Sequence, residues 1–586
     1  MEFSLLAAPS STYPSPNPVS LGRMQDLSAD PVSDPRTSMA RRALDWAPAL
    51  ALVLLALAAS VTSLWNGFAY DDGGIIEKNA RAHSFDDFLN FFVTGYWPRD
   101  LGGSLYRPLT IVRFALQWIA GGGTPFVFHA VNVCLYLALT LSVYLVGRAM
   151  MTREAAWLAA ALFAVHPVHV ESVGNGVGQS ELVVTLCLTL GTLIYLRARR
   201  RSELRASESI SFFLLTLIAA FSKENGIVLP ALLAATEITV VRDPRGWRER
   251  VRVLLPTAIL AGLAVGIVLA ARHWALDALV GEHPFFSLSG LGFGDRVLTV
   301  LGIIPIWLRL FIWPAHLQAD YGPPDVDVST SWGVAQTLGL AVLVGAVALV
   351  VANWRRLPAV AFGFLWAGLA LFPVSNLLVP TGILVAERTL LLPSVGTSLV
   401  LGALIYAVRQ ALPQDRKQLR KLGLAALTGL LVAGVIRSGL RQPVWRDTPT
   451  LLAQTVLDAP RDYRAWQLFG NQLASRGHTA QGRIALEHAA ALYNKDPGVF
   501  EDLGQVVRGS EGCPAAMPIF ERTIAMDPHR KNTRTRLYLC LLTTGDTARA
   551  ATLAEQGASL GQWYFQLVMA LSGGKRSLPL PGDRSQ

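Results

Sequence analysis

Long apolar runs constrain this chain more than any other feature of its sequence. Residues 44–65 form a run long enough to cross about 30 Å of hydrocarbon. Further runs lie near residues 126–147, 155–167, 180–196, 209–222, 226–241, 253–271, 333–352, 358–374, 390–408 and 421–440. With 52% hydrophobic and 16% charged residues, the chain has more apolar surface than a soluble core of 586 residues needs. The sequence therefore predicts an all-α, polytopic membrane protein with about 11 transmembrane helices.

The basic residues lie in short loops between these runs. The formal net charge is +10, and arginines cluster at residues 197–205, 242–252, 355–356 and 409–421. Such loops are typical of the cytoplasmic side of a membrane protein, so we favour that interpretation over a nucleic-acid surface and expect no nucleic-acid partner. Arg41 and Arg42, which precede the first run, predict a cytoplasmic N-terminus.

One apolar stretch, residues 297–313, is compatible with basic loops on the cytoplasmic side only if it does not cross the membrane. A full crossing would place the basic loops 355–356 and 409–421 outside, so we expect a re-entrant or interfacial segment. An odd number of crossings then leaves the C-terminal tail in a periplasm or lumen. The same count of crossings places four polar stretches on the non-cytoplasmic side: residues 66–125, 166–179, 273–331 and 374–388. We expect the chemistry to face that side.

The composition predicts four parts of the chain. Residues 1–40 are expected to form a disordered cytoplasmic arm, and residues 41–442 the transmembrane catalytic domain, with its first external loop at 66–125. Residues 443–572 are expected to form a tetratricopeptide-like α-solenoid, and residues 573–586 a flexible tail. The repeat is clearest from Phe500 to Pro528. Short arrays of this kind usually bind a partner or peptide, and the alternative is a structural cap.

Cysteine is scarce in the chain. Cys134 and Cys187 fall inside apolar runs and are interpreted as packing residues. Cys513 and Cys540 lie in the soluble tail and could pair only if that tail is not cytoplasmic, which the sequence leaves open.

The first external loop opens with Asp71 and Asp72 directly after the first apolar run. Sugar transfer from a lipid phosphate needs a base that takes the proton of the acceptor hydroxyl, and a carboxylate at the membrane surface can serve. The second carboxylate could raise the pKa of the first, orient it or hold a metal ion. The alternative interpretation is a pair of solvated turn residues.

Other polar side chains end or begin apolar runs on the same predicted side. Arginine at such an interface can bind a phosphate or merely extend to lipid head groups. Two histidines and a glutamate at the end of an apolar helix are costly unless they bind something, and metal, phosphate and acceptor contacts all remain open. Local ion pairs are the alternative for the rest. These residues are Tyr106, Arg107, His166, His169, Glu171, Lys223, Glu224, Asp320, Tyr321, Glu387 and Arg388.

Several of these residues stand in motifs that resemble a known family, the transmembrane and tetratricopeptide-repeat-containing O-mannosyltransferases of the GT-C glycosyltransferase class. The motifs follow one another in family order over about 330 residues, and only their combination is specific. They are Tyr70-Asp71-Asp72, Tyr106-Arg107-Pro108-Leu109-Thr110, Phe128-His129 with Asn132, residues 164–171, Ser222-Lys223-Glu224, Ala319-Asp320-Tyr321, and Ala386-Glu387-Arg388 with residues 393–396.

The resemblance implies a GT-C fold and an inverting transfer of a sugar from a polyprenyl-phosphate carrier, dolichyl-phosphate-mannose in eukaryotes, to Ser or Thr hydroxyls. Asp71 or Asp72 would be the base, and Arg107, Lys223 and Arg388 the ligands of the donor phosphate. No cofactor is firmly implied. A divalent metal is possible, with Asp71, Asp72, His166 and His169 as its ligands. The chain departs from the expected pattern at Gln179, Ser180, Glu181 and Leu391.

The sequence thus predicts a glycosyltransferase that acts on exported polypeptides, with membrane lipid around it. Its Arg-rich composition favours a bacterial inner membrane. If the source is a eukaryote, the expected location is the endoplasmic reticulum membrane. One rival is a GT-C enzyme that glycosylates a lipid or glycan. A second rival is a non-catalytic membrane scaffold or transporter that recruits a partner through its repeats.

Overall fold

The computed structural model describes residues 35–98, 105–201, 203–279, 288, 290–380 and 382–571, with side chains from residue 46 onward. The chain divides into two units, residues 1–48 and residues 49–586. Of the first unit, the structure describes only the beginning of the first helix, which starts at Pro35, within the predicted arm. The rest of that arm and the predicted tail at 573–586 lie outside the described residues.

Every regular element in the described part of the chain is a helix, as the sequence predicts. The helices of the apolar part are α1 (Pro35–Ser60), α2 (Asn90–Val93), α3 (Pro108–Gly121), α4 (Pro125–Met150), α5 (Arg153–Ala164), α6 (Val170–Gly174), α7 (Gln179–Arg200), α8 (Ala206–Ser222), α9 (Leu229–Thr239), α10 (Trp247–Leu276), α11 (Phe293–Ile312), α12 (Val334–Asn353), α13 (Pro358–Leu371), α14 (Leu391–Ala411) and α15 (Lys417–Arg441).

Each of the predicted apolar runs coincides with one of these helices, but not every one is long enough to cross a membrane alone. Within the described residues, 7 helices qualify by length and composition, or 8 if the bent pair Arg153–Ala164 and Pro167–Gly174 forms one span. Ala206–Ser222 and Pro358–Val374 are shorter apolar helices. The predicted runs therefore include helices that are too short or too sharply bent to qualify as spans by length and composition alone. The chain is nonetheless an integral membrane protein.

The stretch 297–313 lies almost wholly within α11, which is 20 residues long and contains Pro305. Asp295, Arg296 and Arg309 make this helix too charged to count among the candidate spans. One face packs against the C-terminal half of the molecule through Ile303, Trp307 and Phe311. A re-entrant or interfacial position remains a prediction.

The C-terminal part consists of helices that pack as antiparallel pairs. They are α16 (Thr448–Asp458), α17 (Tyr463–Ser475), α18 (Thr479–Leu492), α19 (Pro497–Glu511), α20 (Cys513–Met526), α21 (Lys531–Thr543), α22 (Thr547–Ser559) and α23 (Trp563–Leu571). The predicted repeat residues Phe500, Leu503, Ala516 and Phe520 are buried between α19 and α20. Cys513 and Cys540 form a disulfide, which answers the question that the sequence left open.

Two hydrophobic cores position the polar loops. The larger one joins α4, α5, α7, α13 and α14 around Phe163, Trp366 and Leu399. The smaller one folds the first loop onto α3 and α4 through Ile76, Phe91 and Phe114. The first loop is therefore a packed unit, and it is held against the ends of the apolar helices.

Candidate functional site

Asp72 ties the first loop to the glycine-rich turn that precedes α7. One carboxylate oxygen accepts a hydrogen bond from Gly176 N at 2.9 Å, and the other accepts one from Val177 N at 2.8 Å. The side chain is fully buried, with 0% exposed surface. A Cβ atom at Gly176 would lie 3.0 Å from Asp72 Oδ1, so glycine permits this close approach. Asp72 is therefore engaged in holding two segments together.

Asp71 has a different environment from its neighbour. Its side chain keeps 21% of its surface exposed, and its Oδ2 lies 3.6 Å from Nη1 of Arg388. The preceding residue, Tyr70, has a positive φ of 55° and donates its backbone N–H to Thr448 Oγ1 at 2.9 Å. A left-handed conformation is costly for tyrosine, so the surrounding contacts must hold this turn in place. In this turn Asp71, and not Asp72, keeps part of its carboxylate surface exposed.

The two carboxyl groups also differ electrostatically. Burial raises the pKa of Asp72 to about 7, although the N–H groups of Gly176 and Val177 favour its ionised form. Burial also raises the pKa of Asp71, and this rise is opposed most strongly by Arg388, then by Arg107, Arg464 and Lys223. Four cations from four separate segments therefore act on Asp71.

Arg388 is the second residue of the 3₁₀ turn Glu387–Leu390, which leads into α14. Glu171 in α6 accepts two hydrogen bonds from it. Its backbone N–H donates to Glu171 Oε2 at 2.8 Å, and its Nη1 donates to Glu171 Oε1 at 2.9 Å. Glu171 is buried, so this charge-assisted pair fixes the guanidinium beside Asp71. Both residues were predicted from the sequence as members of the site.

Arg107 caps the start of α3 and forms a bidentate pair with Glu224. Its Nη2 lies 2.8 Å from Glu224 Oε2, and its Nε donates to both carboxylate oxygens. The guanidinium also lies 5.0 Å from the centre of the Tyr96 ring, a cation–π contact. Burial opposes ionisation of Glu224, but Arg107 outweighs it and holds the pKa of Glu224 below its usual range.

Lys223 follows α8 and pairs with Glu181, near the start of α7. Both side chains are buried. Burial lowers the pKa of Lys223, while Glu181 opposes this effect. Glu181 belongs to the stretch in which the chain departs from the family pattern, so the sequence did not suggest it as a site residue.

Glu387 anchors the loop that follows α11. It accepts hydrogen bonds from Gln318 N and from the Tyr321 hydroxyl, both at 2.6 Å. Between these two residues, Asp320 pairs with Nε of Arg464 at 3.5 Å. Asp320, Tyr321 and Glu387 were predicted together, whereas Arg464, in the first turn of α17, carried no recognisable signal in the sequence.

Tyr106, His166 and His169 join elements to one another. Tyr106 donates its hydroxyl to the carbonyl of Phe92 at 2.7 Å, and His166 donates Nε2 to the carbonyl of Phe311 at 3.0 Å. His169 lies between the hydroxyls of Tyr136 and Ser394, at 2.9 and 2.8 Å.

The residues suggested as metal ligands are engaged in other contacts. Among the described residues, no group of three or more His, Cys, Asp or Glu side chains is arranged to hold a metal ion. The oxygens of Asp72 accept backbone N–H groups, and both ring nitrogens of His169 face hydroxyls. These residues do not fit the ligand set that the sequence suggested.

The fold and this site define a class: a polytopic α-helical membrane protein in which paired charges meet at the ends of apolar helices, around one partly exposed carboxylate. Within that class the chain is similar to particular proteins. It is 23% identical to protein O-mannosyl-transferase Tmtc3 of Drosophila melanogaster over 79% of this chain and 57% of that protein. It is 26% identical to TMTC4 of Homo sapiens over 70% of this chain and 62% of that protein. The resemblance predicted from the motifs is thereby confirmed.

A match over a shorter part of the chain has a higher sequence identity. Protein O-mannosyl-transferase Tmtc2 of Drosophila melanogaster is 31% identical over 47% of this chain and 30% of that protein. The chain spans about 60% of the length of the first relatives it matches. No protein-family model matches the chain.

A distant structural likeness was also found. It is to the archaeal oligosaccharyltransferase AglB from Archaeoglobus fulgidus, in complex with an inhibitory peptide and a dolichol-phosphate. The TM-score is 0.40 and the sequence identity 13%, over 73% of this chain and 60% of that one.

Proposed function

We propose that this protein is an inverting GT-C glycosyltransferase that moves a sugar, with mannose favoured, from a polyprenyl-phosphate carrier to Ser or Thr hydroxyls of exported proteins. The observation that carries the proposal is the partly exposed Asp71, with Arg388 at 3.6 Å and Arg107 and Lys223 within electrostatic reach. Similarity to proteins named protein O-mannosyl-transferases over 70 to 79% of the chain supports the same reaction class.

Asp71 is the base in this proposal. Its carboxylate is partly exposed, whereas the oxygens of Asp72 accept backbone N–H groups and are buried. A raised pKa makes Asp71 a stronger base than a solvated carboxylate, and the cations around it keep its ionised form populated. Asp72 is a positioning residue that sets the direction of the turn.

The donor phosphate would bind Arg388, Arg107 and Lys223. Glu224 takes up Nε and Nη2 of Arg107, and Glu171 takes up Nη1 of Arg388. A guanidinium has five N–H donors, so both arginines can offer others to a phosphate. Because the carboxylates already hold these cations in place, little reorganisation is needed as charge develops on the leaving group.

The reaction then balances as a single displacement. Asp71 removes the proton of the acceptor hydroxyl while the oxygen forms a bond to the anomeric carbon. The bond between that carbon and the phosphate oxygen breaks, and its electron pair leaves with the phosphate. Attack from the opposite face inverts the anomeric configuration. Positioning of both substrates supplies much of the rate.

We place the site and the C-terminal helices on the non-cytoplasmic side. The basic loops at 242–252, 355–356 and 409–421 support this orientation, because they mark the cytoplasmic side. The disulfide between Cys513 and Cys540 supports it too, since disulfides persist in oxidising compartments.

The test is an in vitro transfer assay with purified protein, a panel of radiolabelled polyprenyl-phosphate sugars and an extract of exported proteins. We expect label on protein, released by β-elimination as an O-linked sugar, from one donor of the panel. Label in lipid or glycan instead would favour the rival acceptor class. Absence of transfer from every donor would count against the enzyme and favour a scaffold.

A further inference from the structure

The first C-terminal helices, α17 to α19, share a hydrophobic core with the membrane part, whereas α20 to α23 pack in a core that belongs to the C-terminal helices alone. Trp307 and Leu310 of α11, Leu390 beside Arg388, and Tyr463 and Val499 of the repeats all belong to one buried cluster. A docking module attached through a linker would meet the membrane part at a more polar boundary than this one. This shared core makes α17 a fixed neighbour of the site.

Hydrogen bonds set the register of this interface. Asp462, which caps α17, accepts the N–H of Gly322 at 2.7 Å and that of Arg464 at 2.8 Å. In return, Tyr463 donates its N–H to the carbonyl of Pro323 at 3.1 Å. A Cβ atom at Gly322 would lie only 2.6 Å from Asp462 Oδ1. The beginning of α17 is therefore locked onto the loop that carries Asp320.

Arg464 projects from this locked turn toward the site. Its Nε lies 3.5 Å from Asp320 Oδ2, and its charge acts on both Tyr70 and Asp71. The pair is partly buried, with 24% of the Arg464 side chain and 14% of the Asp320 side chain exposed. In such surroundings a charge is screened less than on an open surface.

The charged and titratable groups that interact electrostatically with Asp71 come from several segments of the chain. The cations are Arg388, Arg107, Arg464 and Lys223, and the other titratable groups are Asp72, Glu171, Tyr70 and Tyr96. The charge of Arg464 lowers the pKa of Asp71 more strongly than that of Lys223, although of these two residues only Lys223 belongs to the sequence motifs.

We propose that Arg464 is a positioning residue of the transferase site, and that α17 is therefore part of the catalytic unit. The inference rests on the proposed function. Arg464 acts through its charge on Asp71 and through its ion pair with Asp320. Its role is to keep the base ionised and the loop at 318–323 in register.

The experiment compares the pH dependence of transfer for the wild type, Arg464→Gln, Arg464→Lys and a control, Arg461→Gln. Arg461 lies three residues earlier and also pairs across the interface, with Asp325 at 3.3 Å, but its side chain is 68% exposed. On the acidic side of the pH–rate profile, we expect the transfer rate of Arg464→Gln to be about 3- to 10-fold lower than that of the control. The difference between the two rates should narrow at high pH. Arg464→Lys should recover most of the rate, and Arg461→Gln should follow the wild type.

The outcomes separate the two proposals. If the wild type transfers sugar and Arg464→Gln has the same pH profile as Arg461→Gln, this inference is overturned alone. A loss of rate that is equal at all pH values, with a lower midpoint of thermal unfolding and no recovery in Arg464→Lys, would also overturn it, because that pattern reports a purely structural role. A wild type without transfer from any donor would overturn the proposed function, and this inference with it.

Discussion

At the scale of residues, two adjacent aspartates have separate roles because their surroundings differ. Asp72 receives backbone N–H groups from the turn before α7, while Asp71 lies beside Arg388 with part of its surface exposed. Either could have been the base by sequence alone. Exposure and hydrogen-bond occupancy distinguish them, and both are properties of the folded chain.

We predict that Asp71→Asn lowers the transfer rate by about 10²- to 10⁴-fold, the usual contribution of a general base, without changing thermal stability much. Asp72→Asn should instead lower stability by about 1–3 kcal/mol, because its amide group must face at least one N–H donor. Transfer kinetics and thermal unfolding in detergent check both. Equal stability losses in the two variants would contradict this division of roles.

A second prediction concerns pH. Transfer requires ionised Asp71, so the rate should fall as the pH drops through its raised pKa. The acidic limb of the pH–rate profile should therefore lie at a higher pH than the pKa of a free carboxylic acid would give. Arg388 opposes that rise, so Arg388→Gln should move the limb to higher pH. Arg409→Gln is the control, since Arg409 pairs with Glu154 at the other end of α14. A limb that does not move in Arg388→Gln would argue against Asp71 as the base.

At the scale of elements, a carboxylate on one segment holds each cation on another. Glu224, Glu181, Glu171 and Asp320 pair with Arg107, Lys223, Arg388 and Arg464. A buried charge without a partner is costly, so such pairs help to hold the ends of separate helices together.

The buried pair of Lys223 and Glu181 should therefore matter for stability. We predict that Glu181→Gln destabilises the protein by about 3–5 kcal/mol, because Lys223 loses its partner, and that adding Lys223→Met restores part of this loss. The exposed pair of Arg483 and Glu487 offers a control: Glu487→Gln should cost under about 1 kcal/mol. Similar unfolding midpoints for Glu181→Gln and Glu487→Gln would contradict the prediction.

The disulfide stabilises the C-terminal helices because it limits the conformational freedom of the unfolded chain. Cys513 and Cys540 are 27 residues apart, so reduction should lower the stability of this part by about 3–4 kcal/mol. Unfolding of the full protein with and without a thiol reductant measures this effect. Cys513→Ser should show the same loss and no further response to reductant, and a response equal to that of the wild type would point to another cause.

At the scale of the whole molecule, the site joins segments that are far apart in sequence. Asp71, Arg107, Lys223, Arg388 and Arg464 come from the first loop, the beginning of α3, the end of α8, the turn before α14 and the repeats. Such a site can form only if the membrane topology places all of these segments on one side of the membrane.

We predict that one side of the membrane exposes both the first loop and the repeats. In a background with Cys134 and Cys187 replaced by alanine, a membrane-impermeant maleimide should label Asp87→Cys and Thr552→Cys from the same side. Arg356→Cys should be labelled from the other side, since it lies in a basic loop. Labelling of Asp87→Cys and Arg356→Cys from one side would rule out this arrangement.

Much of the fold was predictable because apolar periodicity and length are local properties. The apolar runs and the charged ends of the helices correspond to observed elements, and the predicted repeat residues Phe500 and Phe520 are buried in a pair of C-terminal helices. The predictions were less accurate where a helix breaks, as between α5 and α6, which are bent by 51°. A break depends on what packs around it, and composition does not record that.

The sequence by itself determined that this chain is a helical membrane protein with acidic and basic residues at the ends of its apolar runs, because burial in lipid requires long apolar helices and makes charge within them costly. Only the tertiary structure decided which aspartate is accessible, which carboxylate holds each cation, and that Arg464 pairs with Asp320 within electrostatic reach of Asp71. Those facts depend on contacts between distant segments, and the energy of such contacts exists only once the chain has folded.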